Sequence, residues 1–599
     1  MARAAASAAE TADAKPPSPN RVWLRALETV ARLTADPPRP LGAWIDDLAE
    51  RHGEAPALLS DRESFSYRAL AERARRYARW ALAQGLGPGD VVALMMPNRP
   101  EYVAIWLGIT RTGAAVSLLN TNLSGAALAH CIDIVSPRHL ILAGAFEDRF
   151  AAAAAHLASR PRLWRHGGGE DWIDHAVDAL SPDPLTAAEA RALPLSARAL
   201  CIYTSGTTGL PKAANVSHGR ILSWAGWFSG LMGVTAEDRL YDCLPLYHSV
   251  GGVAAIGAVL AGGGSVVVRE KFSARAFWPD LVRWDCTLFQ YIGELCRYLT
   301  SAPPHPDETR HRLRLACGNG LREEVWRTFQ DRFAIPQILE FYAATEGNIS
   351  LYNVEGEPGS IGRIPPFLSH RFPAALVRFD PETGAPLRDP DGRCIRCAAD
   401  EPGEALGRIA AEAGGARFEG YTSPAETERK VLRDVFEPGD AWFRTGDLMR
   451  KDARGFYYFV DRVGDTFRWK GENVSTGEVA AVLAAQPGVR EAEVYGVAVP
   501  GYDGKAGMAA LVVDETFDPA DLAAALGDVL PRYARPVFLR LVSDIASTET
   551  FKPKKSALAA DGFDPARIAD PLYVYDAAGS YRRLDEALFE RIVRGEARL

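Results

Sequence analysis

Tyr203-Thr204-Ser205-Gly206-Thr207-Thr208-Gly209-Leu210-Pro211-Lys212 gathers four Ser/Thr hydroxyls, two glycines and one lysine in one short stretch. Glycine lets the backbone curl until several N–H groups point at one place. The hydroxyls add donors, and the lysine adds a mobile positive charge. Such a loop suits a polyphosphate. It is not a Walker A loop, because Lys212 follows Pro211 rather than glycine and precedes Ala213 rather than Ser or Thr. A surface loop of small polar residues is the plain alternative. The joint placement of glycines, hydroxyls and lysine favours phosphate.

Outward from this loop, helix-like and strand-like segments alternate. The patterns predict helices over 67–83 and 100–112 and strands over 91–96, 115–119, 139–142 and 265–268. That alternation implies βαβ units and largely parallel sheets. Near residue 464 the texture changes: an aromatic strand, 456–460, ends at Asp461-Arg462-Val463-Gly464-Asp465. Helices over 475–485 and 519–530 and strands over 493–499 and 508–513 follow. The expected architecture is α/β: a large multi-layer N-terminal domain with parallel-rich sheets, plus a small mobile α+β C-terminal domain. Residues 1–40 read as a disordered and amphipathic N-terminal segment, 41–463 as the large domain and 464–599 as the small one, hinged at Gly464. The tail after Gly562 carries no chemistry of its own that can be read.

With 599 residues the chain exceeds one domain, and 47% hydrophobic with 24% charged residues is the composition of a soluble globular protein. A net charge of −8 argues against a nucleic-acid partner. The eight cysteines are scattered, which fits a reducing compartment better than a disulfide framework. Cys394-Ile395-Arg396-Cys397 is the one CxxC; with no second pair it reads as a turn between short strands rather than a zinc site. No secretory signal and no apolar run long enough to span a bilayer are visible. Trp23, Leu27 and Val30 recur at helical spacing over 21–33. Packing on the chain's own domain is the expected use of that stripe, and interfacial contact with a membrane the alternative.

Further motifs follow the loop in order: Tyr342-Ala343-Ala344-Thr345-Glu346, Arg444-Thr445-Gly446-Asp447, Asp461-Arg462, Lys470-Gly471-Glu472-Asn473 and Lys552. Together they resemble the adenylate-forming superfamily of acyl-CoA synthetases, luciferases and peptide-synthetase adenylation domains. The superfamily's Tyr-Gly-x-Thr-Glu element has Ala343 here in place of glycine, and Phe551 stands before the lysine where glycine is usual.

The resemblance implies roles. Thr204, Ser205, Gly206, Thr207, Thr208, Gly209 and Lys212 would hold the β- and γ-phosphates of ATP. Glu346 would be the Mg²⁺ carboxylate, and Thr345 would donate to the α-phosphate. Tyr342 can stack on adenine, with Gly318, Asn319 and Gly320 allowing close backbone approach on the other side. Asp447 can accept the ribose hydroxyls, and Arg462 can donate to the same sugar. Lys552 would neutralise charge in the adenylation transition state, with Lys554 and Lys555 nearby as rivals for that role. Gly471 resembles the glycine that borders the path of the coenzyme A thiol, and Trp469 beside it could line that path or be core. His248, in Tyr241-Asp242-Cys243-Leu244-Pro245-Leu246-Tyr247-His248-Ser249, resembles the element flanking the acyl pocket.

Within the superfamily the nearest likeness is to the fatty-acid transport protein/very-long-chain acyl-CoA synthetase family. It rests on residues 241–249, 290–298, 318–322 and 464–476. The implied activity is two-step: a long-chain or very-long-chain fatty acid and ATP give acyl-adenylate and pyrophosphate, and coenzyme A then displaces AMP. A sterol or bile-acid side chain is the alternative acid. A fatty-acid uptake or binding protein is the alternative class, disfavoured by the intact Lys212, Glu346, Asp447 and Lys552. The expected setting is cytoplasmic, with peripheral contact at the inner face of a membrane.

Overall fold

The computed structural model describes residues 18–35, 39–168, 172–204, 211–380, 383–409, 418–463, 466–469, 472–502, 504–545, 555–576, 579–597 and 599; for 468, 472, 473, 528 and 556 it describes the backbone alone. Contacts divide the chain into two units, 1–362 with 410–429, and 363–409 with 430–599. The hinge expected at Gly464 lies outside the described residues.

In the first unit a six-stranded sheet runs in the order Arg162–His166, His139–Ala143, Val91–Met95, Ala115–Leu118, Arg198–Thr204, Lys212–Ser217. All neighbours are parallel except the last pair. A second set of strands runs Ser350–Asn353, Ile338–Ala343, Leu315–Asn319, Leu288–Ile292, Arg239–Asp242, Ser265–Val268, Pro56–Leu59, Ser64–Ser66, parallel at its centre. The apolar strands Val91–Met95 and Ser265–Val268 are buried throughout, as strands covered on both faces must be. The helix Tyr67–Ala83 starts where the Ser66 side chain accepts from the Ala69 N–H. The expected helix over 100–112 is α-helical only over Pro100–Ile109 and closes with a 3₁₀ turn at Thr110–Thr112.

The amphipathic stripe near the N-terminus is used inside the first unit. Helix Pro19–Leu33 buries Val22, Trp23 and Ala26 against helix His218–Met232. Gly226 and Gly230 make the close approach: a Cβ on Gly230 would lie 2.3 Å from the Ala26 Cα. Trp23 packs edge-on against Trp227 and Tyr352. No described helix is long and apolar enough to cross a membrane.

In the second unit the antiparallel strands Gly403–Arg408, Ala441–Lys451 and Phe456–Arg462 are neighbours. A five-stranded sheet, Val489–Val497, Ala506–Val513, Phe538–Leu541, Leu572–Tyr575 and Tyr581–Arg583, holds its own core with helices Thr476–Ala484 and Pro519–Val529. The tail that carried no legible chemistry thus supplies two strands of this sheet. The CxxC lies in a bridged turn: Cys394 is buried, its N–H donates to Val435 O, and residue 396 bridges Val377. Among the described residues no group of three or more His, Cys, Asp or Glu is arranged to hold a metal ion.

Candidate active site

The stem of the phosphate-loop candidate is an antiparallel hairpin in which Thr204 and Lys212 sit directly opposite each other. Register alone therefore brings the threonine hydroxyl and the lysine to one end of the sheet. Ser205, Gly206, Thr207, Thr208 and Gly209 lie outside the described residues. One residue back, the Tyr203 hydroxyl meets Ser117 Oγ at 2.7 Å and donates to Cys131 O at 2.5 Å, anchoring the strand in the sheet beneath. Lys212 Nζ pairs with the Glu426 carboxylate. That hydrogen bond, before any other influence, holds Glu426 below the usual carboxylate range. Lys212 also stands 5.8 Å from the centre of the Tyr421 ring.

Tyr421 joins this lysine to Glu346. Its hydroxyl donates to Glu346 Oε1 at 2.7 Å and meets the Thr204 side chain. Burial, then the Glu346 charge, raises the Tyr421 hydroxyl far above its ordinary value, so it stays a donor. Tyr421 is placed by the edge of the hairpin: Asn215 Nδ2 donates to Tyr421 O at 2.8 Å, the Asn215 N–H to Gly420 O at 3.0 Å and the Thr422 N–H to Ala213 O at 2.8 Å. Thr427 Oγ1 accepts from the Tyr421 N–H at 2.9 Å.

The turn that carries Thr345 and Glu346 follows strand Ile338–Ala343, whose last residues are Tyr342 and Ala343. Arg220, buried in helix His218–Met232, donates to Thr345 O at 2.5 Å and Gly347 O at 2.7 Å. It thereby clamps the backbone on both sides of Glu346. Thr345 Oγ1 meets Ser249 Oγ at 2.9 Å. Tyr421, Arg220 and Ser249 were not legible as site residues. The available signals were slight: a Gly-Tyr pair, an arginine in an apolar helix, and a serine after His248.

Gly318 and Gly320 need glycine for different reasons. A Cβ on Gly318 would sit 2.3 Å from Tyr291 O and 2.4 Å from its ring, so the neighbouring strand fills that space. Gly320 has φ +80° and nothing nearer than 3.9 Å, which is a backbone requirement beside open space. Between them Asn319 Oδ1 is buried without a hydrogen-bond partner among the described atoms. An orphaned acceptor of this kind fits an amino group such as that of adenine. Behind the turn, buried Glu340 accepts from Tyr291 Oη and from the Leu321 N–H at 3.1 Å. Burial pushes its carboxyl up to about 8.

His248 lies against the Tyr247 ring, with centres 4.6 Å apart. Asn98 pins the loop before it, donating to Leu244 O at 2.8 Å and Arg269 O at 3.0 Å and accepting from the Leu246 N–H at 2.9 Å. A π-helical turn follows at Val250–Ala255, where a Cβ on Gly252 would strike Leu246 O.

In the second unit Asp447 and Arg462 are cross-strand partners, with Nε 3.4 Å from Oδ1. Gly446 takes φ +77° inside strand Ala441–Lys451, where its pairing with Gly403–Arg408 bulges, and Thr445 Oγ1 accepts from the Asp447 N–H at 3.0 Å. Asp461 is not beside them in role: its Oδ2 accepts from the Thr476 N–H and hydroxyl, both at 2.8 Å, and so starts the next helix. Lys555 is committed to structure, 3.0 Å from Glu493 and donating to Thr476 Oγ1 at 2.6 Å. Trp469 is core, tilted against the Tyr502 ring with centres 5.2 Å apart. Gly471, Lys552 and Lys554 lie outside the described residues.

The AMP-binding enzyme family matches residues 45–405, and the AMP-binding enzyme C-terminal domain matches 478–552. Long-chain fatty acid transport protein 1 of Mus musculus is 44% identical over 86% of this chain and 80% of its own length. Long-chain fatty acid transport protein 3 of Homo sapiens is 42% identical over 86% and 76%. ATP-bound MatB from Rhodopseudomonas palustris, a crystal structure, superposes with a TM-score of 0.74 at 25% identity, covering 87% of this chain and 98% of that one. The chain is an AMP-forming acid–CoA ligase of the AMP-binding enzyme family and belongs with the long-chain fatty acid transport proteins.

Proposed function

We propose that this ligase activates long-chain or very-long-chain fatty acids. A fatty carboxylate attacks the α-phosphorus of ATP and pyrophosphate leaves; the coenzyme A thiol then attacks the acyl-adenylate carbonyl and AMP leaves. Both partners of the first step are anions, so cations and donors must meet the charge as it shifts. The meeting of Thr204, Lys212 and Glu346 at Tyr421 carries this reading. Lys212 and the Thr204 hydroxyl bind the outer phosphates, and Thr345 donates to the α-phosphate. Asn319 Oδ1 accepts from the adenine amino group, with Tyr342 against the base. Asp447 and Arg462 hold the ribose. His248 borders the acyl chain.

Glu346 fits a hard cation: its carboxylate is half-buried, fixed through one oxygen by Tyr421, and flanked by the arginine-clamped turn. When bound with ATP, Mg²⁺ supplies charge neutralisation on the phosphate oxygens with few protein ligands. Residues 464–599 present Lys552 for the first half-reaction and Gly471 for the second. The enzyme works in the cytoplasm, with peripheral contact at the inner face of a membrane. The names of the relatives support the acid class. The deciding measurement is pyrophosphate release with fatty acids of increasing length and with sterol acids, with and without coenzyme A. Release that rises with chain length is expected; a preference for sterol acids would overturn it.

A further inference from the structure

Lys212, read above as a phosphate cation, already has a carboxylate partner in the protein alone. Its side chain and that of Glu426 are only 16% and 20% exposed, so their attraction is less screened than on open surface. The other oxygen of Glu426 pairs with Arg429, whose side chain is 66% exposed. One carboxylate therefore bridges two cations, an inner one facing Tyr421 and an outer one facing water. Glu426 is also held at this point. Its N–H donates to Ser423 Oγ at 3.4 Å, and the next residue, Thr427, accepts from the Tyr421 N–H.

We propose that Glu426 is the exchange counter-ion of Lys212. Its carboxylate occupies the lysine while no polyphosphate is bound, yields the lysine to phosphate while keeping Arg429, and returns as pyrophosphate leaves. A half-buried lysine without a counter-ion is costly, and so is a half-buried carboxylate abandoned by its partner. The outer seat on Arg429 removes the second cost. No covalent bond changes; one ion pair is exchanged for another. This inference rests on the assignment of Lys212 to the phosphates.

Calorimetric titration of the full chain with magnesium pyrophosphate separates the two claims. Lys212→Ala tests the assignment, and unchanged pyrophosphate binding there removes Lys212, and with it the exchange, from the site. Glu426→Gln takes away the competing charge at nearly constant size. Its pyrophosphate affinity should rise by about threefold or more, and pyrophosphate should inhibit the forward reaction more strongly. Arg429→Met leaves Glu426 only its inner seat, so pyrophosphate should bind about twofold to threefold more weakly. In the Lys212→Ala background, Glu426→Gln should no longer tighten binding. A merely structural role predicts weaker or unchanged binding in Glu426→Gln. That result, beside an effective Lys212→Ala, would overturn the exchange and leave the assignment standing. Should Glu426→Gln fail to fold, the surface variant Arg429→Met decides alone, and unchanged or tighter binding there sinks the proposal.

Discussion

Asp447 and Arg462 face each other because two adjacent strands hold them in register. The cluster at Tyr421 is built otherwise: Tyr421 and Glu346 are 75 residues apart, and Thr204 and Lys212 come from a third segment. The register pair depends on backbone hydrogen bonds, which any side-chain change short of proline leaves in place. The Tyr421 cluster depends on side chains holding side chains, with Arg220 and Thr427 as outer supports. A substitution in the strand pair should therefore subtract one contact, whereas one in the cluster should disturb its neighbours as well.

The largest expected effect falls in the cluster. Glu346→Gln should lower adenylation by about 10²-fold, the scale of losing one preorganised charge-stabilising group, with little change in stability. Magnesium-dependent ATP–pyrophosphate exchange measures it; exchange with unaltered magnesium dependence would remove Glu346 from the site. A comparable loss, about 10²-fold, is expected for Lys552→Ala in acyl-adenylate formation, with thioester formation from supplied acyl-adenylate spared. Gly471→Leu should do the reverse. Pre-steady-state assays of each half-reaction decide, and equal damage to one step by both changes would refute two separate roles.

Asp447→Asn should raise the KM for ATP by about tenfold while the hairpin persists, because a hydrogen bond to a charged group is lost and the strand pairing is not. If the variant instead unfolds, the register account of this region is wrong. Tyr421→Phe removes one hydroxyl and should cost about threefold to tenfold in adenylation. Its diagnostic is coupling: combined with Glu346→Gln it should add almost nothing. Full additivity would show that Tyr421 acts apart from Glu346.

The smallest effect concerns stability. Burial raises Glu340 from its ordinary 4.5 to about 8 in the folded chain. Between those values the folded protein keeps a proton that the unfolded chain has released. This contribution is therefore complete below about pH 4.5 and is lost as pH rises toward about 8. Glu340→Gln should flatten that fall, read as the urea midpoint from about pH 5 to about pH 8. Asp242, also buried and raised to about 8, keeps part of the slope with the same sign. An unchanged slope in the variant would show that Glu340 is not the group responsible.

Much of the proposed site was legible in the chain because its parts are short, ordered motifs. Thr204 with Lys212, Thr345 with Glu346, and Asp447 with Arg462 all stand in local patterns of glycine, hydroxyl and charge. The helix Tyr67–Ala83 was equally legible, since its cap and its apolar spacing agree. The strands Leu572–Tyr575 and Tyr581–Arg583 were not, being short and flanked by polar residues. They exist because a sheet edge was there to pair with.

The sequence by itself determined which groups are the candidates for phosphate, sugar and cation, and the alternation that makes a parallel-rich α/β chain. Local patterns suffice for that, because turn residues and strand periodicity act within a few positions. Only the tertiary structure decided which neighbours hold those groups. It set Tyr421 between Lys212 and Glu346, Arg220 behind the Glu346 turn, Glu426 on the lysine, and Lys555 in an ion pair with Glu493. Those contacts join segments far apart in the chain. A tyrosine, an arginine or a glutamate carries no local mark of the partner that folding will bring to it.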